Sequence, residues 1–244
     1  MSNYATVSSP SSSSPNFSGT AFLLADQARA IMLTTLLDGR ALPAGELAYA
    51  SGITAQTASS HLAKLLAGGL VAVENEGRHR YYRLAGAHVA EAMEQLAVIQ
   101  PAALVRRKAL SPQERQLQFC RCCYDHLAGR LGVAVTQALQ AHRYICAAAD
   151  KQFEVTEAGV DWFGRLGLDV GAIKPGRRGL ARQCLDWTER QHHLAGPLGV
   201  QFMTLLCAKD WLRRSKSSRA VTVTPKGSVG FREQLGVDAV IAQS

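Results

Sequence analysis

Long apolar runs are missing from this 244-residue chain, and no apolar stretch follows a basic start at its N-terminus. A membrane helix needs about 18 or more consecutive apolar residues, and a secretory signal needs a basic start before its apolar stretch. The sequence therefore predicts a cytoplasmic protein with no membrane partner. Because 47% of the residues are hydrophobic and 19% are charged, the chain can bury a core, which excludes a wholly disordered or fibrous protein.

Cysteine is absent from the first 119 residues of the chain. The six cysteines are Cys120, Cys122, Cys123, Cys146, Cys184 and Cys207. This distribution differs from the dense frameworks of small secreted disulfide proteins, so the sequence predicts reduced thiols.

The net charge of +8 suggests a nucleic-acid partner, but the charge is unevenly placed. Residues 1–100 carry a net charge of −1, and residues 101–244 carry +9. Overall charge therefore does not locate a DNA-binding surface, and local patterns must do so.

Composition and apolar spacing divide the chain into four parts. Residues 1–16 are rich in Ser and Pro and are predicted to be a disordered tail. Residues 17–100 are predicted to form a winged helix-turn-helix, residues 101–112 a linker, and residues 113–244 a C-terminal effector-sensing domain. The predicted fold class is mainly α with small β-hairpins (α+β).

Helix and turn signals fill in the first domain. One long helix is expected from Phe17 to Gly39, then two short helices, the second capped by Thr54. A wing hairpin follows, with strands at Leu70–Glu74 and Arg80–Leu84. A last helix covers 87–99, and Ser111 is placed to cap the helix after the linker.

The C-terminal half contains an internal repeat, with copies at 113–170 and 180–239. Three pairs of segments recur in order: DHLAGRLGV (125–133) and HHLAGPLGV (192–200), VTEAG (155–159) and VTPKG (223–227), LGLD (166–169) and LGVD (235–238). Each copy is predicted to form a long helix, a strand or hairpin, and a short helix, so the domain consists of two winged-helix-like pseudo-repeats.

The second helix of the motif presents short polar side chains of the kind that read base edges in the major groove. The candidate DNA-binding residues there are Thr54, Gln56, Thr57, Ser59, Ser60, His61 and Lys64. At the wing tip, Arg78, His79 and Arg80 are expected to reach the DNA backbone or minor groove. The alternative is that the polar stripe is simply a solvated helix face.

Residues 46–84 resemble the ArsR/SmtB family of winged-helix repressors, through ELAYASGITAQTASSHLAKLLAGGLV and the wing EGRHRYYRL. The resemblance covers about residues 20–98. It implies a homodimer joined through the segments 18–38 and 86–100, bound to double-stranded operator DNA until an effector releases it. Two departures are clear: ELAYA (46–50) lacks the cysteines of many metal-sensing members, and His88 lacks the acidic partner, since Gly86 stands in its place.

The extension is therefore expected to hold the effector. Cys122 and Cys123 lie four and three residues before His126, a spacing at which helical side chains share a face. Asp186, Glu189 and His193 are spaced similarly, just after Cys184. His126 and His193 are equivalent in the repeat. The candidate metal ligands are Cys122, Cys123, His126, Cys184, Asp186, Glu189 and His193. Such nitrogen and sulfur donors suit zinc or a similar divalent ion.

Other interpretations remain open at this stage. Arg115 and Arg121 could favour thiolates at Cys120, Cys122 and Cys123 and so create a redox switch. An organic effector could bind among Trp162, Phe163, Trp187, Tyr124, Phe202 and Trp211. A basic run could bind an anionic effector or DNA phosphate through Arg213, Arg214, Lys216, Arg219 and Lys226.

The competing functional classes are an enzyme with a Cys/His nucleophile and base, and an architectural DNA-binding protein. No Gly-rich phosphate loop or catalytic signature is present, so the sequence predicts a non-enzymatic regulator.

Overall fold

The computed structural model describes residues 17–77, 79–99 and 111–239. The predicted tail, Arg78 and most of the predicted linker lie outside these ranges. Within them, no single helix is long and apolar enough to cross a membrane, although Ser18–Leu24 and Gln27–Asp38, bent by 85°, meet that test when taken together.

The N-terminal part, called the headpiece below, comprises residues 17–99 and has its own core around Met32, Leu47, Leu62 and Leu65. Its elements are α1 (Ser18–Leu24), α2 (Gln27–Thr35), a 3-10 turn (Leu36–Asp38), β1 (Leu42–Pro43), α3 (Ala44–Ser51), α4 (Ala55–Ala67), β2 (Val71–Glu76), β3 (His79–Leu84) and α5 (Ala87–Ile99). The three strands form one antiparallel sheet in the order β1-β3-β2. This is the predicted winged helix-turn-helix fold, and the caps predicted at Thr54 and Ser111 are confirmed.

The prediction of one long first helix is wrong, because the chain breaks between α1 and α2. Asp26 has extended backbone angles, and its side chain accepts a hydrogen bond from the Arg29 N–H. The buried Arg29 guanidinium then donates to the carbonyls of Phe22 and Leu23, at 2.8 and 2.7 Å. These contacts satisfy the C-terminal carbonyls of α1, which would otherwise lack partners.

The wing turn also differs from its prediction. Glu76 pairs with His79, so the two strands of the wing extend beyond their predicted ends at Glu74 and Arg80. Gly77 supplies the positive φ (59°) that such a tight hairpin requires.

The C-terminal part, called the extension, comprises residues 111–239. After α6 (Pro112–Phe119), its first copy contains β4 (Arg121–Cys123), β5 (His126–Ala128), α7 (Gly129–Ala141), β6 (Ile145–Ala148), β7 (Gln152–Val155) and α8 (Glu157–Leu166). Its second copy contains β8 (Ala181–Leu185), β9 (His192–Ala195), α9 (Gly196–Ala208), β10 (Leu212–Arg214), β11 (Val221–Val223) and α10 (Pro225–Leu235). Each copy therefore runs hairpin, helix, hairpin, helix. The first hairpin of each copy was mistaken for the start of a helix.

Strand pairing links the two copies crosswise. β7 pairs with β8, which joins two hairpins into the four-stranded sheet β6-β7-β8-β9. A β-bridge between Arg121 and Ala220 brings the start of β11 beside β4 in the same way. The second hairpin of each copy thus adjoins the first hairpin of the other, and one shared apolar core fills the space between them.

Close backbone packing in each copy leads to a stability prediction. Gly159 in α8 lies so near the Tyr144 carbonyl that an added Cβ would overlap it, and Gly227 in α10 has the same relation to Trp211. We expect Gly159→Ala to lower the free energy of unfolding by about 2–3 kcal/mol, because the new methyl group would overlap the Tyr144 backbone, which cannot move aside as a flexible side chain could. Gly164 is on the same helix with open space around it. Gly164→Ala should be neutral or stabilising by up to about 1 kcal/mol. Urea unfolding followed by circular dichroism compares the two, and equal midpoints would contradict the packing described.

Candidate functional site

The predicted DNA-reading helix is α4, and its polar residues are mostly exposed. Thr54 caps the helix by accepting from the Thr57 N–H at 3.2 Å. The side chain of Ser59 donates to the Ala55 carbonyl at 2.9 Å, so its hydroxyl is already engaged within the helix. The exposed predicted residues are Thr54, Gln56, Thr57, Ser59, Ser60 and Lys64. They form one polar surface beside the apolar face of α4, which Ala58, Leu62 and Leu65 bury.

His61 does not share this surface. Its side chain is 15% exposed, and its Nδ1 lies 3.7 Å from an Asp26 carboxylate oxygen and 3.4 Å from Arg29. It therefore packs against the break between α1 and α2. At the wing, His79 and Arg80 are exposed, and the Arg80 guanidinium lies over the Tyr82 ring. Arg78 lies outside the described residues.

The second site is built from two cross-strand pairs in the extension. Cys123 faces His126 directly across the hairpin β4–β5, and Cys184 faces His193 directly across β8–β9. Residues opposite one another in an antiparallel pair place their side chains on the same face. Each copy of the repeat therefore contributes one thiol and one imidazole.

The four ligand atoms of these pairs, called the Cys/His site below, lie within 4.8 Å of one another. The two Nε2 atoms of His126 and His193 are 3.1 Å apart, and the Sγ atoms of Cys123 and Cys184 are 4.0 Å apart. In tetrahedral zinc sites with Zn–N of about 2.0 Å and Zn–S of about 2.3 Å, ligand atoms are about 3.3–3.8 Å apart. The donor set and its spacing therefore fit a tetrahedral divalent ion.

A carboxylate stands behind each imidazole. Asp125 Oδ1 is 2.9 Å from His126 Nδ1, and Asp186 Oδ2 is 3.7 Å from His193 Nδ1. Burial alone would lower the pKa of His126, but its hydrogen bonds to Asp125 and Cys123 outweigh burial and raise the pKa to about 9. A carboxylate hydrogen-bonded to the outer nitrogen, as Asp125 is, orients a metal-binding histidine and directs its Nε2 toward the ion. His193 Nδ1 is too far from Asp186 for such a bond and is buried without a hydrogen-bond partner among the described residues.

Asp186 was predicted as a ligand, but its oxygens are committed elsewhere. The buried Arg121 guanidinium donates to both oxygens at 2.8 Å, and the Gly129 N–H donates to one of them at 2.8 Å. Burial alone would raise the pKa of Asp186, but Arg121 and His193 hold it well below its ordinary value. Asp186 is thus a charged group beside His193, not a ligand of the Cys/His site.

Two other predicted ligands also lie elsewhere. Neighbouring residues of a strand point to opposite faces, so Cys122 enters the apolar core while Cys123 faces the Cys/His site. Glu189 accepts a hydrogen bond from the Thr188 hydroxyl, and burial raises the pKa of its carboxyl. The error came from assigning helical spacing to residues that form strands.

The structure does not provide the arginine-activated thiols expected for a redox switch. Arg121 pairs with Asp186, and burial raises the pKa of Cys120 and Cys122. A hydrogen bond with Cys184, together with burial, raises the pKa of Cys123 to about 12. The same hydrogen bond lowers the pKa of Cys184, which lies in the Cys/His site.

Two further sequence-based sites are not formed as predicted. Trp162, Phe163 and Phe202 pack edge to face in the core rather than around a ligand pocket. In the basic run, Arg213 pairs with Asp210, and Arg219 turns inward to pair with Glu94. Neither the aromatic set nor the basic run therefore acts as one binding surface.

An open cleft of about 1200 Å³ adjoins the Cys/His site. Cys123, His126 and Cys184 line it, and α5 contributes Glu91 and Glu94 on the opposite side. The Cys/His site is therefore reached from the space between the headpiece and the extension.

Sequence reasoning missed Glu94 at this junction and assigned Arg219 to a basic run instead. Glu94, in α5, is 5% exposed, and Arg219 donates to its carboxylate at 2.6 Å. The signal for Glu94 in the sequence was a charged residue at a position of the last headpiece helix that its amphipathic pattern places toward the core.

Comparison with known proteins agrees with this architecture. A family described as a helix-turn-helix domain matches residues 24–74. The uncharacterized HTH-type transcriptional regulator YdfF of Bacillus subtilis is 44% identical over 223 residues, which is 91% of this chain and 98% of YdfF. The HTH-type transcriptional regulator CmtR of Mycobacterium tuberculosis is 42% identical over 76 residues, which is 31% of this chain and 64% of CmtR.

Several solved structures are similar to 32–38% of this chain. The homodimeric winged helix-turn-helix domain of Mb0332 from Mycobacterium bovis, described as a possible ArsR-family regulator, has 31% identity and a TM-score of 0.33. It covers 38% of this chain, and the match spans 85% of that domain.

The geometry of the Cys/His site predicts that binding of added zinc depends on the Cys184 thiol. Cys184→Ser should reduce bound zinc from about one ion per chain to a small fraction, because a serine hydroxyl is a poor substitute for a thiolate ligand. Cys146→Ser is the matched control, since Cys146 is exposed on β6 and outside the site. Elemental analysis after zinc loading and removal of free metal gives the answer. Equal zinc in the two variants would contradict the assignment.

Proposed function

This chain belongs to the HTH-type transcriptional regulators, with a headpiece of the ArsR/SmtB type, and on that premise we propose that a metal ion in the extension controls its binding to DNA. The proposed ligands are Cys123, His126, Cys184 and His193, and zinc is the proposed ion. When bound, the ion would supply a fixed cross-link between the two copies of the repeat.

The convergence of these four ligand atoms is the observation that carries the proposal. Three of the four residues are buried. Asp125 and Asp186 lie beside the outer nitrogens of His126 and His193, and the buried Arg121 pairs with Asp186. Buried imidazoles and thiols also occur as ordinary core residues, but those do not usually direct four donor atoms at one point. Two cross-strand Cys/His pairs with carboxylates behind the imidazoles are better suited to hold a cation.

On the DNA side, we propose that the exposed face of α4 enters the major groove. Gln56 can form a bidentate contact with adenine, and Lys64 can bind phosphate. Arg80 of the wing would add a contact to the DNA backbone. The residues Ser59 and His61, whose polar groups are engaged within the headpiece, contribute less than predicted.

The proposed assembly is a homodimer. Phe22 on α1 is 69% exposed, and Leu96 and Ile99 on α5 are 47% and 75% exposed. Burying these side chains against a second copy would remove apolar surface from water and place two α4 helices on one face. We further propose that the dimer represses transcription and that the metal weakens its hold on the operator.

DNA recognition can be tested on duplexes selected from a random library by repeated binding to the full chain. Gln56→Ala should weaken binding to the selected duplex by about 1–3 kcal/mol, because a bidentate base contact is lost. Arg80→Ala should weaken binding to all duplexes alike and reduce the salt slope by about one. Arg165→Ala, which removes the same charge from the exposed surface of α8, serves as the control. Fluorescence anisotropy measures the affinities, and unchanged binding by Gln56→Ala would remove α4 from the interface.

Metal control predicts a second, separate result. Adding zinc to chelator-treated protein should weaken its binding to the selected duplex by about tenfold or more, within the usual range of allosteric coupling. Cys123→Ser should lose this response, whereas Cys146→Ser should keep it. If zinc binds at one ion per chain but leaves the DNA affinity of the wild-type chain unchanged, the site is structural and the proposed control is wrong.

A further inference from the structure

Glu94 is the point at which the headpiece meets the Cys/His site. One of its carboxylate oxygens accepts a hydrogen bond from the Cys123 thiol, with Sγ to Oε2 at 3.7 Å. The other accepts from the Arg219 guanidinium at 2.6 Å. Because Glu94 is in α5 and Cys123 is in β4, the carboxylate joins the two parts of the chain.

Arg219 extends this connection to another part of the headpiece. Its Nε donates to the Cys122 carbonyl at 2.9 Å, and its NH1 donates to the Leu37 carbonyl at 3.0 Å. Its backbone N–H donates to the Asp38 carbonyl at 2.6 Å. The guanidinium therefore contacts β4, α5 and the 3-10 turn that leads from α2 toward the helix-turn-helix.

We propose that the Glu94–Arg219 pair transmits metal occupancy of the Cys/His site to the headpiece. This inference rests on the proposed function, since it names the route by which that site acts. Glu94 is a positioning residue in this scheme, and it is not one of the four metal ligands.

The physical argument is a change of hydrogen-bond partners. A sulfur that binds a metal is a thiolate and has no S–H to donate. Metal binding at Cys123 therefore removes the donor from one oxygen of Glu94. A buried carboxylate oxygen without a donor is costly, so Glu94 must rearrange.

The rearrangement cannot be absorbed locally. The Arg219 Nε and NH1 are already committed to the carbonyls of Cys122 and Leu37. Any movement of Glu94 toward new donors therefore strains or breaks contacts that hold α5 and the 3-10 turn. The 3-10 turn follows α2, which packs against α4, and α5 packs against the wing strand β3.

Glu94→Gln gives the sharpest test, because the side chain keeps its shape. The Gln carbonyl can still accept from Arg219, while its amide can donate to a thiolate but cannot accept an S–H. The hydrogen bond that opposes metal binding is thereby removed, but so is a negative charge beside the proposed cation site, and these two changes act on zinc affinity in opposite directions. A chelator competition therefore gives the zinc concentration at which each chain is fully loaded, and the coupling is measured on the loaded protein.

The second readout is amide hydrogen exchange in the full chain, with and without zinc. In the wild-type chain, zinc should change exchange severalfold at residues 36–40 and 87–99. Glu94→Gln should reduce that change to less than about twofold. Glu91→Gln is the matched control, because Glu91 is exposed on the same helix and lines the same cleft. It should behave as the wild type in both assays.

Arg219→Lys provides an independent variant in case Glu94→Gln folds poorly. It leaves the Cys123–Glu94 contact in place but cannot make all the Arg219 contacts. Zinc affinity should stay within about threefold of wild type while the exchange response is lost. The proposed route is overturned if both Glu94→Gln and Arg219→Lys keep the wild-type exchange response when fully loaded with zinc. Failure of the wild-type chain to bind zinc would instead overturn the proposed function.

Discussion

The buried ion pair between Arg121 and Asp186 is the interaction on which the geometry of the extension depends. The two side chains are 3% and 0% exposed, and they come from different copies of the repeat. Burying two charges is costly, and here the cost is offset because Asp186 also accepts from Gly129, Thr188 and Glu189 backbone N–H groups. The pair fixes β4 relative to the end of β8. The distance between the two Cys/His pairs follows from that constraint.

Specific local chemistry, rather than overall charge, distinguishes the two parts of the chain. The headpiece is close to neutral, and its proposed DNA surface is a capped helix with polar side chains on one face. The extension carries the excess of positive charge, yet Arg121 and Arg219 use theirs inside the molecule. The number of basic residues in a segment therefore does not show how many of them are available to a nucleic acid.

The sequence was most informative where one local rule determines the outcome. Thr54 and Ser111 were recognised as helix caps, and the order of elements in the headpiece was predicted correctly. Four of the seven candidate ligands converge, since chemistry and repeat equivalence pointed to His126 and His193. To choose Cys123 over Cys122, one must know that these residues form a strand. A short apolar run in the sequence does not show whether it forms a strand or a helix. The Glu94–Arg219 contact spans 125 positions in the chain, and no local pattern predicts it.

The equivalence of the two Cys/His pairs has a consequence for how such a site can originate. Each pair belongs to one copy of the repeat, and the two imidazoles meet at the position where the copies face each other. A single-copy protein that dimerised about a two-fold axis at that position would present the same four groups, two from each subunit. Within one chain the halves no longer have to be identical, and of the two thiols in the Cys/His site Cys123 hydrogen-bonds to Glu94 of α5 whereas Cys184 bonds to Cys123. Two copies in one chain can therefore give equivalent thiols different neighbours.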